Sequence, residues 1–390
     1  MPQRCCQETA HPVARAATTF FELPAPTYSV ADQRKKSALP LLRISGKTEP
    51  MSNRKPRPTQ SGRVTLSEIA ARVGTSAITV SRVLNTPHLV SQDLRMRIES
   101  VIAELNYLPN RAARALASAR SESIAVLVPS LSNTVFTELL EGIRHVFHTR
   151  GYRILIGDTR YSPQEEESLL RAYLGHSPDG ILLASSNQTP AAARLLAASG
   201  IPVVHMMDLP AKGAYAVGLR QTDAGFAIAR HLIEQGYCRI GFMGAQLDPR
   251  VIERCAGYRA ALAEAGMAYP TGEMLEPTPS SIGLGATLLG KLLQQAPDCD
   301  AVFCANDDLA LGVLFECQRR GIRVPTQLAV AGFNNLDASA WSFPTLTTVS
   351  TPRYLIGHSA ASMLLQLMNG EVPASNRLDM GFSLVVREST

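Results

Sequence analysis

The sequence predicts an α/β protein in which a small, all-helical N-terminal module precedes a larger core of two lobes built on parallel sheets. From residue 122 onward, apolar runs of strand length alternate with helical stretches, as in βαβ units. Residues 64–106 instead show three short amphipathic patterns with helix-capping residues. At 390 residues the chain is also too long for a single core. We therefore expect separate domains.

The composition limits the class of protein. The chain has no apolar run long enough to cross a membrane. Its first 30 residues carry Glu8 and Glu22 and lack the apolar centre of a secretory signal. The 7 cysteines stand at irregular spacings, which favours reduced thiols over a disulfide framework. We expect a cytoplasmic, nucleoid-associated protein that makes no contact with a membrane.

Positive charge is concentrated near the N-terminus. Residues 51–120 contain 11 Lys or Arg and only 4 acids, an excess above the net charge of +5 for the whole chain. Such asymmetry indicates a module that contacts phosphate, although a solvated basic face gives the same pattern. Residues 1–63 lack apolar periodicity, so we expect a disordered extension. Either Met51 is the true start, or this extension is an arm that touches DNA.

Residues 64–108, here called the headpiece, predict a helix-turn-helix. Thr65 begins a capping box, Gly74 ends that first helix, and Ser76 caps the second. In this motif the second helix enters the major groove, where small side chains let the backbone approach the bases. Arg82 on that helix would reach a base or a phosphate. The alternative is a small helical cap on a larger domain.

Several motifs resemble one known family. VTLSEIAARVGTSAITVSRVLN, followed by VSQDLRMRIESVIAELNYLPNRAARALA, resembles the headpiece of LacI/GalR (lactose-repressor) family regulators. CANDDLALG, and AGFNN before PTLTTV, continue the resemblance over about 120–390. The resemblance implies a periplasmic-binding-protein-like core and a dimeric, ligand-responsive, DNA-binding repressor. PSLSNTVFTELLEGI and LDPRVIERCAGY make the chain most similar to the gluconate-utilisation subgroup.

The resemblance also assigns DNA contacts. Ala77 and Ile78 would open the recognition helix, and these apolar side chains can touch thymine methyls but cannot form bidentate bonds to bases. Residues 109–120 would form a hinge helix in which Leu116 wedges into the minor groove and the arginines face phosphates. Leu116 as a helix-packing residue is the alternative. The predicted DNA-binding residues are Thr65, Ser76, Ala77, Ile78, Thr79, Ser81, Arg82, Asn85, Asn110, Arg111, Arg114 and Leu116.

A ligand site is expected at the carboxyl ends of the strands, between the lobes of the core at 121–390. Arg250 and Arg254 lie one helical turn apart after a strand, which suits a carboxylate or phosphate held bidentately. An ion pair of Arg250 with Asp248 or Glu253 is the alternative. The predicted effector-binding residues are Ser132, Asn133, Phe136, Arg250, Arg254, Ser280, Asn306, Asp307 and Asn334.

The resemblance sharpens the expected chemistry of this site. It implies that Asn306 and Asp307 face the ligand, and that Asn334 stands where many relatives carry an Asp. Ser280 is small and polar where an aromatic residue would stack on a sugar ring. Fewer acids and two arginines favour an anionic, open-chain ligand, so we expect a sugar acid such as gluconate.

The expected function is therefore repression of sugar-acid catabolism genes, relieved when the effector binds. The expected partners are a pseudo-palindromic operator, a sugar-acid effector and a second copy in a homodimer. The sequence leaves open a regulator of another sugar or purine pathway with its ligand as co-repressor, or a stand-alone sugar-binding protein. No zinc spacing, cofactor motif or catalytic motif is present, so we expect no metal, no cofactor and no enzymatic activity.

Overall fold

The computed structural model describes residues 64–108, 120–185, 187–209, 213–267 and 272–390. These residues belong to two compact units, 64–108 and 120–390. One unit is helical and the other contains two sheets flanked by helices, which confirms the predicted fold class. The predicted extension at 1–63 and the predicted hinge helix, apart from Arg120, lie outside the described residues.

The headpiece follows the predicted helical pattern. Its elements are α1 (Leu66–Val73), α2 (Ala77–Asn85), a 3₁₀ turn (Pro87–Leu89) and α3 (Gln92–Glu104). Thr65 and Glu68 form the predicted capping box at the start of α1. Ile69, Val80 and Ile98 come from the three different helices, and each is fully buried in the small shared core. The two caps and these apolar faces explain why short helices are stable here.

The first lobe of the core is built on a six-stranded sheet with the order β11-β5-β4-β3-β1-β2. Its strands are β1 (Ser123–Val128), β2 (Arg153–Asp158), β3 (Gly180–Leu183), β4 (Val203–Met207), β5 (Tyr215–Gly218) and β11 (Arg377–Asp379). Neighbouring strands are parallel throughout. Its helices are α4 (Val135–His148), α5 (Pro163–Leu174), α6 (Pro190–Ser199) and α12 (Arg353–Met368).

The second lobe has a matching six-stranded sheet with the order β12-β10-β9-β8-β6-β7. Its strands are β6 (Ile240–Ala245), β7 (Glu273–Glu276), β8 (Ala301–Cys304), β9 (Ala329–Asn334), β10 (Thr347–Ser350) and β12 (Ser383–Val385). Only β12 runs antiparallel to its neighbour. Its helices are α7 (Gln221–Glu234), α8 (Pro249–Glu264), α9 (Ile282–Gln295), α10 (Asp307–Arg320) and α11 (Asp337–Trp341).

The chain crosses between the two lobes after β5, after β10 and after β11. After the first crossing α7 packs against α8 of the second lobe, and after the second crossing α12 packs against α4 of the first lobe. Each crossing is followed directly by a helix or strand of the other lobe, so the lobes are joined over short distances. No helix among the described residues has both the length and the apolar character of a membrane span.

Five strands are absent from the sequence prediction: β5, β7, β10, β11 and β12. Each has four residues or fewer, and their sequences are YAVG, EMLE, TTVS, RLD and SLV. YAVG is apolar but short, and the other four mix apolar with polar or charged residues, whereas longer apolar runs indicated the other seven strands. Their strand conformation depends on pairing with neighbours that lie far away in sequence.

Helices α7 and α8 approach closely because glycines stand at their crossing. A Cβ atom added to Gly257 would lie 2.6 Å from the backbone nitrogen of Phe226 and would also clash with the carbonyl oxygen of Thr222. Gly283, on α9, is exposed and has no atom within 4 Å of such a Cβ position. These two glycines therefore form a matched pair for testing the crossing.

We expect Gly257→Ala to lower the free energy of unfolding by about 1–3 kcal/mol, because the helices must move apart. Gly283→Ala should leave stability unchanged or raise it by up to about 1 kcal/mol, since alanine favours helix. Urea unfolding followed by circular dichroism measures both. Equal stability of the two variants would show that the crossing tolerates a wider spacing.

Candidate functional site

A cavity of about 470 Å³ lies between the two lobes, at the carboxyl ends of their strands. This is where parallel sheets bind ligands. The first lobe contributes the turn between β1 and α4 and the end of β2. The second contributes the ends of β6 and β9 and the first turns of α8 and α10. Eight of the nine predicted effector-binding residues line it: Ser132, Asn133, Phe136, Arg250, Arg254, Ser280, Asn306 and Asn334.

The turn before α4 forms the first-lobe wall of the cleft. Asn133 accepts a hydrogen bond from the Val135 amide at 3.0 Å through its side-chain oxygen, and its Nδ2 donates to the Tyr161 hydroxyl at 3.3 Å. Its amide is therefore held in place before a ligand arrives. Phe136 is almost completely buried, and the Arg250 guanidinium lies 5.9 Å from its ring centroid. The ring thus borders the cleft as an apolar edge.

Arg254 is a buried cation of the cleft and is only 6% exposed. Its Nε donates to Gln221 Oε1 at 2.9 Å, and its Nη1 donates to the Ala305 carbonyl at 2.7 Å. Its Cζ lies 3.6 Å from the ring centroid of Phe333, a cation–π contact. Nη2 makes no hydrogen bond to any described residue, so this donor remains for a ligand in the cleft.

The charge on Arg254 persists at neutral pH. Burial, reinforced by repulsion from Arg250, lowers the pKa of Arg254 to about 10, whereas Asp248 acts in the opposite direction. A pKa of about 10 still leaves the guanidinium protonated at pH 7. A carboxylate in the cleft would therefore meet a buried cation, where screening by water is weak.

Arg250 forms the ion pair that the sequence left as an alternative. Its Nη2 lies 3.1 Å from Asp248 Oδ2, and its Nη1 donates to the Ala184 carbonyl of the first lobe at 3.3 Å. Burial opposes ionisation of Asp248, but Arg250 and Arg254 outweigh it and lower the pKa of this carboxyl. A bidentate grip by both arginines would require Arg250 to leave Asp248. The anion contact that the geometry offers is therefore Arg254.

The second-lobe wall carries a pair of small polar side chains. Asn306 Nδ2 lies 2.8 Å from Ser280 Oγ, and Asn306 Oδ1 accepts the Leu309 amide at 3.0 Å as the N-cap of α10. Asn334 ends β9 with φ of 113°, in the left-handed region that favours glycine and asparagine. All three predicted residues therefore face the cavity, and Asn334 does so on an unusual backbone.

Asp307 contradicts the expectation that it faces the ligand. It is fully buried and does not border the cavity, whereas its neighbour Asp308 does. Its carboxylate accepts hydrogen bonds from Thr348 Oγ1 at 2.7 Å, the Leu336 amide at 2.7 Å and Ser339 Oγ at 2.8 Å. Burial raises the pKa of Asp307, although these donors act against that shift. Through these hydrogen bonds Asp307 holds the turn that follows Asn334, without bordering the cavity.

The polar residues of the cleft that the sequence prediction missed include Asp158, Tyr161, Asp248 and Asp308. The first two follow β2, whose carboxyl end reads GDTRY, so the rule that ligands bind at strand ends would have found them. Burial raises the pKa of Tyr161, which stays a neutral hydroxyl. Burial and the neighbouring Asp307 also raise the pKa of Asp308.

The second helix of the headpiece has one buried and one exposed face. Val80 and Val83 are buried, whereas Ile78 is 71% exposed. An exposed isoleucine at the start of this helix is available for the predicted contact with thymine methyls. Arg82 is also exposed and forms no ion pair within the described residues.

The remaining predicted DNA contacts divide into three groups. Ser76 accepts the Thr79 amide at 3.1 Å as the N-cap of α2, which places both hydroxyls and Ala77 at the start of that helix. Asn85 Nδ2 donates to the Ser81 carbonyl at 3.0 Å, while Thr65 belongs to the capping box of α1. Four predicted contacts lie outside the described residues: Asn110, Arg111, Arg114 and Leu116.

Comparison with known proteins agrees with this geometry. Residues 65–110 match the model of bacterial regulatory proteins of the lacI family, and residues 229–390 match a periplasmic binding protein-like domain. The HTH-type transcriptional regulator GntR of Pseudomonas aeruginosa is 48% identical over 331 residues, covering 85% of this chain and 96% of the relative. This chain belongs to the lacI family. It is a DNA-binding transcriptional regulator.

Solved structures of lacI-family proteins show the same architecture. The transcription regulator GntR from Chromobacterium violaceum is 52% identical, with a TM-score of 0.67 over 68% of this chain and 98% of that chain. The lac repressor dimer bound to operator and the anti-inducer ONPF is 25% identical, with a TM-score of 0.75 over 84% of this chain and 99% of that chain. The likeness to the lac repressor spans most of this lacI-family chain.

The buried carboxylate of Asp307 predicts an effect on stability. Asp307→Asn keeps the shape but replaces one acceptor oxygen with a donor group, so we expect a loss of about 1–3 kcal/mol in the free energy of unfolding. Asp308→Asn, which lines the cleft and makes no such network, should change stability by less than about 0.5 kcal/mol. Urea unfolding measures both. If Asp307→Asn kept full stability but lost ligand binding, Asp307 would contact the ligand after all.

Proposed function

We propose that this lacI-family regulator represses sugar-acid catabolism genes and leaves its operator when a gluconate-type effector binds between the lobes. Arg254 carries the proposal: it is a buried cation that lines the cleft, and its Nη2 makes no hydrogen bond to any described residue. An anion that binds there gains a charge-assisted hydrogen bond in a region of low dielectric. A neutral sugar gains much less at this position.

The rest of the cleft suits the other groups of a sugar acid. Hydroxyls donate to carboxylates and amide oxygens, and Asp158, Asp308 and Asn334 supply such acceptors around the cavity. The cavity of about 470 Å³ is larger than a six-carbon chain requires, so water would share it. The relatives that bear the name GntR support the same subgroup. Of the three arginines that line the cleft, Arg160 is paired with Glu165 and Arg250 with Asp248. Arg254 among several acceptors therefore favours a polyhydroxylated carboxylate over a dianion.

Operator binding would use the homodimer seen in the lac repressor complex, with one headpiece in each half-site of a pseudo-palindrome. Effector binding and operator binding are then linked, so each must weaken the other by the same factor. We place the protein in the cytoplasm, at the nucleoid. The competing possibility, a ligand that acts as co-repressor, reverses the sign of this linkage, and a gel shift with and without ligand decides between them.

The effector class is tested by thermal unfolding with gluconate, idonate, 6-phosphogluconate or glucose. A ligand at about 100 times its Kd adds about 2.7 kcal/mol to the free energy of unfolding, so the midpoint should rise with the correct sugar acid and not with glucose. Arg254→Lys should reduce the gluconate shift by at least half while leaving operator binding intact. Arg259→Lys, on the exposed face of the same helix, is the control. A shift with glucose alone would contradict the proposed effector.

The DNA-binding face is tested with the exposed Arg82. Arg82→Ala should weaken operator binding by about 1–3 kcal/mol, because one base or phosphate contact is lost, and should leave gluconate affinity unchanged. Arg95→Ala is the control, since Arg95 of α3 lies 2.8 Å from Glu99 in an ion pair. Fluorescence anisotropy with labelled operator measures both. Equal losses in the two variants would mean that only the overall charge of the headpiece matters.

A further inference from the structure

Arg353 stands where the chain passes from the second lobe back to the first. It is the first residue of α12, separated from the end of β10 by two residues, and only 5% of it is exposed. Because β10 belongs to the second sheet and α12 packs against α4 and the first sheet, its guanidinium lies at the joint between the lobes. It does not border the cleft.

The two ends of this guanidinium bind different lobes. Nη1 donates to the carbonyl oxygen of Asn334, the cleft residue at the end of β9 in the second lobe. Nη2 lies 2.7 Å from Glu138 Oε1, on α4 of the first lobe. Helix α4 also carries Phe136, which lines the opposite wall of the cleft. One side chain that does not itself line the cleft thus connects residues of both walls.

Arg353 contacts a segment of unusual backbone conformation. Asn334 and Asn335 have φ angles of 113° and 52°, so two consecutive residues stand in the left-handed region. Such backbone persists only where the surroundings hold it. Arg353 holds it at the Asn334 carbonyl, and Arg387 Nη2 holds the Asn335 side chain at 2.8 Å. Arg353 Nε is buried without a hydrogen-bond partner among the described residues. An unsatisfied buried donor lowers the stability of the fold.

At the first crossing, too, a buried polar side chain contacts both lobes. Gln221 is the first residue of α7 and is buried. Its Nε2 donates to the Met207 carbonyl of the first lobe at 3.2 Å, and its Oε1 accepts from Arg254 of the second lobe at 2.9 Å. At both crossings, then, a buried polar side chain at the start of the new helix links a cleft residue to the other lobe.

We propose that Arg353 is a positioning residue that sets the angle between the two lobes and carries movement of the Asn334 wall to helix α4. Arginine suits this role because its planar fork places donors on two separate acceptors, whereas the ammonium of lysine is a single point. Closure of the lobes cannot move Asn334 relative to α4 without changing a contact of this buried cation. The link to effector response rests on the proposed function, but the role in lobe geometry does not.

The test measures the distance between the lobes in the full-length protein without ligand. Spin labels are placed at the exposed positions 197 on α6 and 294 on α9 by a chemistry that does not use cysteine, since the chain has 7 cysteines. Labelled chains are diluted with unlabelled chains so that each dimer reports one pair. We expect Arg353→Met to broaden the distance distribution and shift its mean, and Arg353→Lys to restore part of the wild-type distribution.

Arg377→Met is the matched control. Arg377 is also an arginine with a buried, unpartnered Nε, and its Nη2 donates to the Leu209 carbonyl at 3.0 Å, but both residues belong to the first lobe. Its removal should leave the distribution as in wild type. Glu138→Gln provides a second variant if Arg353→Met does not fold, because the Glu138 side chain is 54% exposed. It should broaden the distribution less than Arg353→Met.

The outcomes separate this proposal from the proposed effector. An unchanged distribution in both Arg353→Lys and Glu138→Gln, or an equal change in Arg377→Met, would overturn the role of Arg353. Gluconate is then added to the labelled wild type, where we expect a shift of the mean that becomes smaller in Arg353→Met. If gluconate leaves wild type unchanged, the effector assignment fails, while the ligand-free comparison still decides the role of Arg353.

Discussion

The burial of the Arg254 guanidinium is the constraint on which the cleft depends. A cation inside a protein is tolerated only when its donors are satisfied and opposite charge lies near. Gln221, the Ala305 carbonyl and the face of Phe333 meet most of that requirement, and Asp248 supplies charge nearby. The Nη2 of Arg254 makes no hydrogen bond to a described residue, and the proposed anionic effector rests on this group. The proposed recognition of an anion thus rests on one buried charge whose N–H groups are not all used by the protein.

Gln221, which accepts a hydrogen bond from this cation, also joins the lobes, and Arg353 joins them at the second crossing. Gln221 begins the helix after the first crossing, and Arg353 begins the helix after the second. The bonds of both reach cleft residues on one side and the opposite lobe on the other, so the cleft and the joint between the lobes share contacts. In a two-state regulator, such shared contacts are how binding energy becomes a change in lobe angle.

Eight of the nine residues that the sequence predicts to bind an effector line the cleft, and Asp307 does not. Strands that form continuous apolar runs were found because both of their faces are covered, and the turns after them contain the predicted cleft residues. Arg250 illustrates the limit, because the residues alone allowed either a ligand contact or an ion pair with Asp248. Asp307 illustrates it further: adjacent residues at a helix start point in different directions, and here Asp308 reaches the cleft instead.

Local chemistry was sufficient for the headpiece and for the fold class. Caps, glycine at helix ends and apolar periodicity act within a few residues, so the sequence by itself determined the helix-turn-helix and the alternation of strands and helices. The tertiary structure alone decided which donors of Arg254 stay unused and which partners Arg353 has. Glu138 and Arg353 are separated by 215 positions in the chain. Contacts of that kind depend on how whole lobes pack. No local pattern in the sequence predicts them.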